Sequence, residues 1–219
     1  MEIAETVTAS AMAIPLDETP RVNLDDAELV ALSRGDDRDA FGQLVDRHKD
    51  RVVNYLTRLT GNRDRAEDFA QETFIRLFQN LDRYRDEGAL VAYLLRIATN
   101  LVRSEERRRS RWRVLRPLFA VTGFRGGMGR GAREEDPEAS PQNRALASEE
   151  TRQVSAAIAS LDLRYRAPLV MREIEGATYQ EIAIALGVNE GTVKSRLHRG
   201  RHLLKEKLTP YWNGGHHDG

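Results

Sequence analysis

The chain contains no cysteine, few aromatic residues and no long apolar run. Without cysteine, disulfide bonds and thiolate metal sites are excluded. No apolar segment approaches the roughly 20 residues that a membrane-spanning helix requires, and the first residues lack the basic start and apolar core of a signal peptide. With 31% charged and 6% aromatic residues, the composition is typical of a helix-rich protein, and we expect a cytoplasmic location without membrane insertion.

The charges are unevenly distributed, although the formal net charge is +0. Residues 1–30 hold seven acidic residues and one arginine, whereas residues 96–133 hold eleven arginines and two glutamates. Such asymmetry favours nucleic-acid contact in the basic part, with an ordinary solvated charge run as the alternative.

The segment 178–201 has the pattern of a helix, a tight turn and a basic second helix. Thr178 and Glu181 form a capping-box pair, which satisfies two backbone amides at a helix start. Gly187 supplies the left-handed conformation that a sharp turn needs, and Asn189 is a good N-cap for the following helix. The pattern predicts a helix-turn-helix.

The second of these helices has an apolar face and an opposite face that is small, polar and cationic. Such a face fits the DNA major groove, where donors read guanine edges and cations neutralise phosphates. An ordinary amphipathic surface helix is the alternative. The candidate DNA-contacting residues are Thr178, Lys194, Ser195, Arg196, His198 and Arg199.

Helical periodicity extends over most of the chain, and no segment has a sustained strand period. We therefore predict an all-α fold of two small helical domains joined by a flexible linker. The predicted parts are a disordered extension (1–23), a first domain (24–113), a basic Gly/Arg-rich linker (114–144), a second domain (145–209) and a disordered tail (210–219). The predicted helices cover 24–33, 40–59, 64–81, 89–109, 147–160, 164–174 and the helix-turn-helix.

The predicted helix 89–109 carries a second cationic face. Arg96, Asn100 and Arg103 share one side, and guanidinium groups around an amide are able to bind phosphates and read a base edge. In the preceding loop, Tyr84 and Arg85 are suited to stacking on or holding an unstacked base. A solvated face and a simple surface turn are the alternatives for these two features.

The outward face of the predicted helix 64–81 is acidic, with Asp68, Glu72 and Ile75 aligned and Gln71 beside them. Because an acidic stripe repels phosphate, this face is better suited to a basic protein surface, where Ile75 would add an apolar contact. Ordinary solvation is the alternative.

No set of residues suggests catalysis. None of the five histidines has a glycine-rich phosphate loop or a spaced carboxylate cluster as its partner, and the pair His216–His217 is better explained by a polar tail than by metal binding. We expect no enzyme activity, no cofactor and no metal.

Three segments resemble the bacterial sigma-70 family of RNA polymerase initiation factors, extracytoplasmic-function (ECF) group. AEDFAQETFIRLFQNLDRYR resembles the segment that docks on the clamp helices of the largest polymerase subunit, which implies Asp68, Gln71, Glu72 and Arg76 as contacts. LVAYLLRIATN resembles the helix that recognises the −10 promoter element, and YQEIAIALGVNEGTVKSRLHRGR resembles the helix-turn-helix that reads the −35 element. The resemblance also implies the flap of the second-largest subunit and an anti-sigma factor as partners.

A stand-alone helix-turn-helix repressor or activator is the alternative function. It would require a dimer interface and symmetric operator half-sites. The sequence has no heptad seam to provide such an interface.

Overall fold

The structure is a computed structural model that describes residues 24–85, 90–121 and 149–214, with side chains described for 24–85, 90–113 and 151–211. Within these ranges every regular element is helical, which confirms the all-α prediction. The helices are α1 (Asp26–Arg34), α2 (Arg38–Thr60), α3 (Arg63–Gln79), a 3-10 turn (Leu81–Arg83), α4 (Leu90–Val121), α5 (Glu149–Ala159), α6 (Leu163–Glu173), α7 (Tyr179–Leu186) and α8 (Glu190–Gly214). The predicted N-terminal extension and most of the predicted linker lie outside the described residues.

The first half of the chain, residues 24–121, is built around α2, α3 and α4. Their apolar residues recur at helical spacing, so Leu44, Leu77 and Leu94 meet in a core in which each is at most 1% exposed. Gly61 ends α2 in the left-handed conformation at φ 69°, shortly after the predicted end of this helix at residue 59. Helix α3 begins at Arg63, one residue before the predicted start at 64, and its N-cap is Asn62, whose side chain accepts from the Arg65 amide at 2.9 Å.

Two helices are longer than predicted. Helix α4 continues to Val121, past the predicted end at residue 109 and into the predicted linker. Ion pairs from Glu105 to Arg108 (2.8 Å) and to Arg109 (3.0 Å) span adjacent turns and help to extend it. Helix α8 continues to Gly214, although Pro210 removes one backbone donor, so the tail predicted from residue 210 is helical at its beginning.

The second half, residues 149–214, packs α6, α7 and α8 around Ile182, Val193 and Leu197, which are at most 1% exposed. Helix α8 approaches α6 closely at Gly200, where an added Cβ would lie 3.3 Å from the carbonyl oxygen of Tyr165. A larger residue at this position would therefore require the Tyr165 backbone to move by a few tenths of an ångström.

The two halves pack against each other. Helix α2 contacts α5 and α6, and α4 contacts α7, so the buried residues of both halves form one continuous apolar cluster. At the centre of the first half, the Tyr55 hydroxyl bonds the Thr99 hydroxyl at 2.7 Å, and burial raises the pKa of Tyr55, which keeps the phenol neutral. The sequence predicts two domains but gives no indication of this packing.

We predict that Gly187→Ala lowers the free energy of unfolding by about 1–2 kcal/mol, because a Cβ is strained in the left-handed conformation. Gly187 has φ 64° and open space around the position of a Cβ, so backbone conformation alone causes the loss. Urea unfolding of the full chain measures the effect.

The matched control is Gly42→Ala, which also places a Cβ in open space but inside helix α2. There alanine should stabilise the chain by about 0.5–1 kcal/mol, because it restricts the unfolded chain and favours helix. Equal effects of the two substitutions would contradict the conformational explanation.

Candidate nucleic-acid interface

The helix-turn-helix is fixed by local hydrogen bonds at each of its corners. Glu181 accepts from the Thr178 amide at 2.7 Å and from the Thr178 hydroxyl at 2.8 Å, and the Glu181 amide donates back to that hydroxyl. The bond from the Thr178 amide lowers the pKa of Glu181. Gly187 has the left-handed conformation, and Asn189 accepts from the Thr192 amide at 2.7 Å, so the predicted turn and caps are all present.

Helix α8 presents a continuous polar face on its first turns. Val193 and Leu197 hold the opposite side in the core, which directs the intervening side chains outward. The Ser195 hydroxyl donates to the Thr192 carbonyl at 2.9 Å and retains its acceptor sites. Of the six candidate residues, Arg196 is partly buried and the other five are exposed, namely Thr178, Lys194, Ser195, His198 and Arg199.

Neighbouring residues restrain some cations near this face. Arg201 bonds Glu173 of α6 at 2.7 Å, so this arginine secures α8 to α6. Lys194 and Arg172 both lie over the ring of Tyr179, at 5.9 and 5.0 Å from its centroid. By contrast, Arg199 has no ion-pair partner among the residues whose side chains the structure describes, and its guanidinium faces solvent.

The second cationic face lies on α4. Arg96 and Asn100 are exposed, and Arg103 donates to the Asn100 side-chain oxygen at 2.8 Å, so the three predicted residues form one polar surface. Thr99, which precedes Asn100 in the sequence, is by contrast fully buried and donates to the Leu95 carbonyl at 2.7 Å.

The segment before α4 differs from the expectation. Tyr84, predicted to stack on a base, is only 6% exposed and packs its ring on Tyr93 with centroids 4.9 Å apart. The expectation that the Tyr84 ring is exposed and free to stack on a base is therefore wrong in this structure, because the ring packs on Tyr93 inside the fold. Arg85 is exposed, and residues 86–89 of the predicted base-binding loop lie outside the described residues.

Arg34, which no sequence motif indicates as functional, positions this segment. Its guanidinium donates to the Leu81 carbonyl at 3.0 Å and also to the Tyr84 carbonyl. These bonds join the end of α1 to a turn about 50 residues later, so periodicity within either element could not reveal them. The only signal was an arginine in the last turn of a short helix.

The outward face of α3 is acidic at its centre and apolar towards its end. Asp68 and Gln71 are exposed, Glu72 pairs with exposed Arg76 at 2.7 Å, and Ile75 is 50% exposed. Phe78, one turn beyond Ile75, is 43% exposed, and its ring contacts Phe41 with centroids 5.0 Å apart. Phe78 therefore enlarges the apolar part of this face, for which the sequence pattern indicates only Ile75.

Two arginines connect the halves of the molecule. Arg51 of α2 bonds the Glu175 carboxylate at 2.8 Å and the Glu175 carbonyl at 3.1 Å, and the Glu175 side chain is 7% exposed. Arg166 of α6 is buried and bonds Glu106 of α4 together with the Ala159 carbonyl, which leaves its Nε without a partner.

A cleft of about 620 Å³ lies beside the first of these contacts, and Arg51, Glu175, Arg47 and Met171 are among the residues that line it. Among the described residues, no cluster of side chains could hold a metal ion, and no helix is long and apolar enough to cross a membrane.

Each half of the chain matches a different protein-family model. Residues 44–113 match the family model for sigma-70 region 2, and residues 151–204 match the model for sigma-70 region 4. The chain is 31% identical to the ECF RNA polymerase sigma-E factor of Haemophilus influenzae, over 85% of this chain and 97% of that protein.

Two other relatives also carry the name of ECF RNA polymerase sigma factors. The chain is 33% identical to the ECF RNA polymerase sigma factor SigW of Bacillus subtilis, over 78% of this chain and 90% of that protein. It is 38% identical to the ECF RNA polymerase sigma factor SigE of Mycolicibacterium smegmatis, of which it covers 63%.

Two solved structures share the fold. One is the sigma factor RpoE in complex with the anti-sigma factor NepR from Bartonella quintana, at TM-score 0.57, 23% identity, and coverage of 77% of this chain and 96% of that chain. The other is CnrH in complex with the cytosolic domain of CnrY, at TM-score 0.59, 24% identity, and coverage of 83% and 96%.

Proposed function

This chain belongs to the ECF group of sigma-70 family RNA polymerase sigma factors, and we propose that it gives core polymerase its promoter specificity through two separate DNA-contacting surfaces. The observation that carries the proposal is the presence of exposed cationic faces on both α4 and α8, one in each of the two matched regions. The chain supplies recognition and polymerase supplies the chemistry, so we propose that the chain itself is not an enzyme and acts in the cytoplasm.

The helix-turn-helix reads the −35 element in this proposal. Arg199 and Lys194 are exposed on the outer face of α8, and the exposed Ser195 and His198 lie between them. Arginine and lysine are suited to guanine edges and phosphates in the major groove, and Ser195 suits either kind of base. Thr178 lies at the N-terminus of α7, where its position favours a phosphate contact. Arg196 is partly buried, and in this proposal it lies at the edge of the DNA-contacting face of α8.

The cationic face of α4 reads the −10 element. Asn100 is able to bind an adenine edge in a bidentate manner, and its bond to Arg103 already orients the amide. Arg96 and Arg85 add phosphate contacts on either side. Because Tyr84 is buried against Tyr93, we assign it the role of supporting the segment that leads to this face.

The exposed face of α3 binds core polymerase, at the clamp helices of its largest subunit. Asp68, Glu72 and Gln71 offer acceptors to a basic surface, and Ile75 with Phe78 offers the apolar centre that protein interfaces require. The Glu72–Arg76 pair is exposed, so little free energy is lost when a partner replaces it. The second half contacts the flap of the second-largest subunit in the same proposal.

An anti-sigma factor is the regulatory partner that we propose. Of the two solved structures with the same fold, one contains a sigma factor in complex with an anti-sigma factor, and the other contains CnrH in complex with the cytosolic domain of CnrY. A protein that binds the halves in their packed arrangement would withhold both DNA-contacting surfaces at once.

The packed arrangement of the halves is too small to span a promoter. The −10 and −35 elements lie about 25 base pairs apart, which corresponds to about 85 Å along B-DNA. A compact chain of about 160 residues is only roughly 40 Å across. The halves must therefore separate, and the 27 residues 122–148 are long enough to allow this, because an extended chain of that length reaches about 90 Å.

The proposal is tested by mixing the purified chain with core polymerase and sequencing the transcripts. We expect transcripts that start downstream of one shared pair of elements, and migration of the chain with core polymerase. Tight DNA binding by the chain alone, without transcripts or co-migration, would instead support the stand-alone regulator.

Arg199→Ala should weaken binding to −35 DNA by about 1–3 kcal/mol, because it removes a direct contact in the groove. The matched control is Arg201→Ala on the same helix, where the arginine is engaged by Glu173. Binding is measured by fluorescence anisotropy with a −35 duplex. If both variants bind like the original chain, Arg199 does not belong to the interface.

Glu72→Lys should weaken association with core polymerase by about 2 kcal/mol or more, because it opposes a basic partner with a like charge. Glu67→Lys is the control, since Glu67 forms the same type of pair with Arg63 (2.9 Å) on the same helix. Association is measured by interferometry, and thermal unfolding shows whether each variant is folded. A folded Glu72→Lys variant with unchanged association would contradict the docking proposal.

The double substitution Glu175→Gln with Glu106→Gln should shift the halves towards separation roughly five- to thirtyfold, because it removes the charges that Arg51 and Arg166 bind. As the chain has no cysteine, Lys49→Cys and Lys205→Cys allow selective labelling for energy transfer between the halves. Transfer efficiency should fall in the double variant.

The control for this measurement is Glu173→Gln. Glu173 pairs with Arg201 inside the second half, so its loss leaves the contact between the halves intact. An equal fall of transfer efficiency in the control, or no fall in the double variant, would show that these pairs do not hold the halves together.

A further inference from the structure

Helix α4 carries arginines well beyond the part proposed to read the −10 element. Arg107 and Arg111 continue the line of Arg96 and Arg103, and we call these four residues the arginine row. Among the residues whose side chains the structure describes, Arg96, Arg107 and Arg111 have no ion-pair partner, and Arg103 bonds only the neutral Asn100.

The arginine row lies on one side of the helix. At 3.6 residues per turn its members fall within about 80° of one another, opposite the buried Leu101 and Leu94. From Arg96 to Arg111 the helix rises about 22 Å, which equals about six or seven phosphates along one DNA strand. The row is therefore longer than a contact with a single base pair or phosphate requires.

The acidic residues of the same segment are directed elsewhere. Glu105 lies on the opposite side and accepts from Arg108 at 2.8 and 3.1 Å and from Arg109 at 3.0 Å. The hydrogen bond from Arg108 also lowers the pKa of Glu105, so this group remains ionised and paired. Glu106 binds Arg166 of the second half. No carboxylate neutralises the row itself among the described residues.

The residues between the arginines favour DNA backbone over protein as the partner. Ser104, Ser110 and Asn100 fill the exposed positions of this side, while Trp112 lies on the opposite side. Protein interfaces need an apolar centre, which the described side chains of this surface do not provide, whereas phosphate binding needs only spaced cations and small polar neighbours.

We propose that Arg107 and Arg111 bind the phosphates of double-stranded DNA immediately upstream of the −10 element, independently of its sequence. The inference rests on the proposed function of α4, because Arg96 and Asn100 place the beginning of the row on that element. The upstream direction follows from the chain itself, since α4 leads towards the half that binds the −35 element.

The test measures binding of the reconstituted holoenzyme to two DNA probes, both with a −10 element mapped by transcript sequencing and neither with a −35 element. The long probe carries eight upstream base pairs of duplex, and the short probe ends at the upstream edge of the −10 element. Arg107→Gln with Arg111→Gln is compared with Arg108→Gln with Arg109→Gln, which removes the same charge from arginines that Glu105 engages.

On the long probe, the first double variant should bind more weakly, and its plot of log affinity against log salt concentration should be less steep by about 1–2, as expected for two lost phosphate contacts. On the short probe it should match the original chain, and scrambling the upstream duplex should change nothing. The control variant should match the original chain on both probes.

Equal losses on both probes, or an unchanged salt dependence on the long probe, would overturn the inference. A loss of holoenzyme assembly in the first double variant would also overturn it, because the row would then be a protein contact. Arg96→Ala separates a failure of this inference from a failure of the −10 assignment of α4. If it weakens binding to the short probe while Arg107 and Arg111 have no effect, the −10 assignment stands and only this inference fails.

Discussion

The helical period of α4 is the constraint on which the rest of the structure depends. Its apolar side packs on α2 and α3 in the first half and on α7 in the second, so this one helix belongs to both cores. Because a helix turns by about 100° per residue, the same spacing that gathers Leu94 and Leu101 on one side directs Arg96 and Arg103 to the other. Assembly of the fold and exposure of the cationic surface therefore follow from one pattern.

The parts of the fold that the sequence predicted well are those governed by contacts within a few residues. Thr178 and Glu181 lie three positions apart, and Gly187 adopts the left-handed conformation that the turn needs. The helix-turn-helix is therefore recognisable from interactions within a few residues. The same holds for Gly61 at the end of α2. Exposure of Arg96, Asn100 and Arg199 also followed from periodicity, because each lies opposite an apolar stripe.

The parts that could not be predicted depend on residues distant in the sequence. Arg51 and Glu175 are 124 positions apart, and nothing in either neighbourhood indicates the other. Tyr84 illustrates a related difficulty, because a tyrosine in a polar loop suits either solvent or an apolar site. The position of Tyr93 on α4 decides between them. Thr99 is buried for a similar reason, since its hydroxyl bonds the buried hydroxyl of Tyr55, 44 positions away in the sequence.

The close approach at Gly200 has a consequence for the direction in which the second half presents its polar face. Helix α8 is 25 residues long, or about 37 Å, and its contact with the Tyr165 backbone lies near its middle. That contact divides the helix, because the exposed polar residues Lys194, Ser195 and Arg199 lie before it and the C-terminal half of α8 follows it. The separation of α8 from α6, and with it the direction in which the polar face of α8 points, thus depends on a position that carries no side chain.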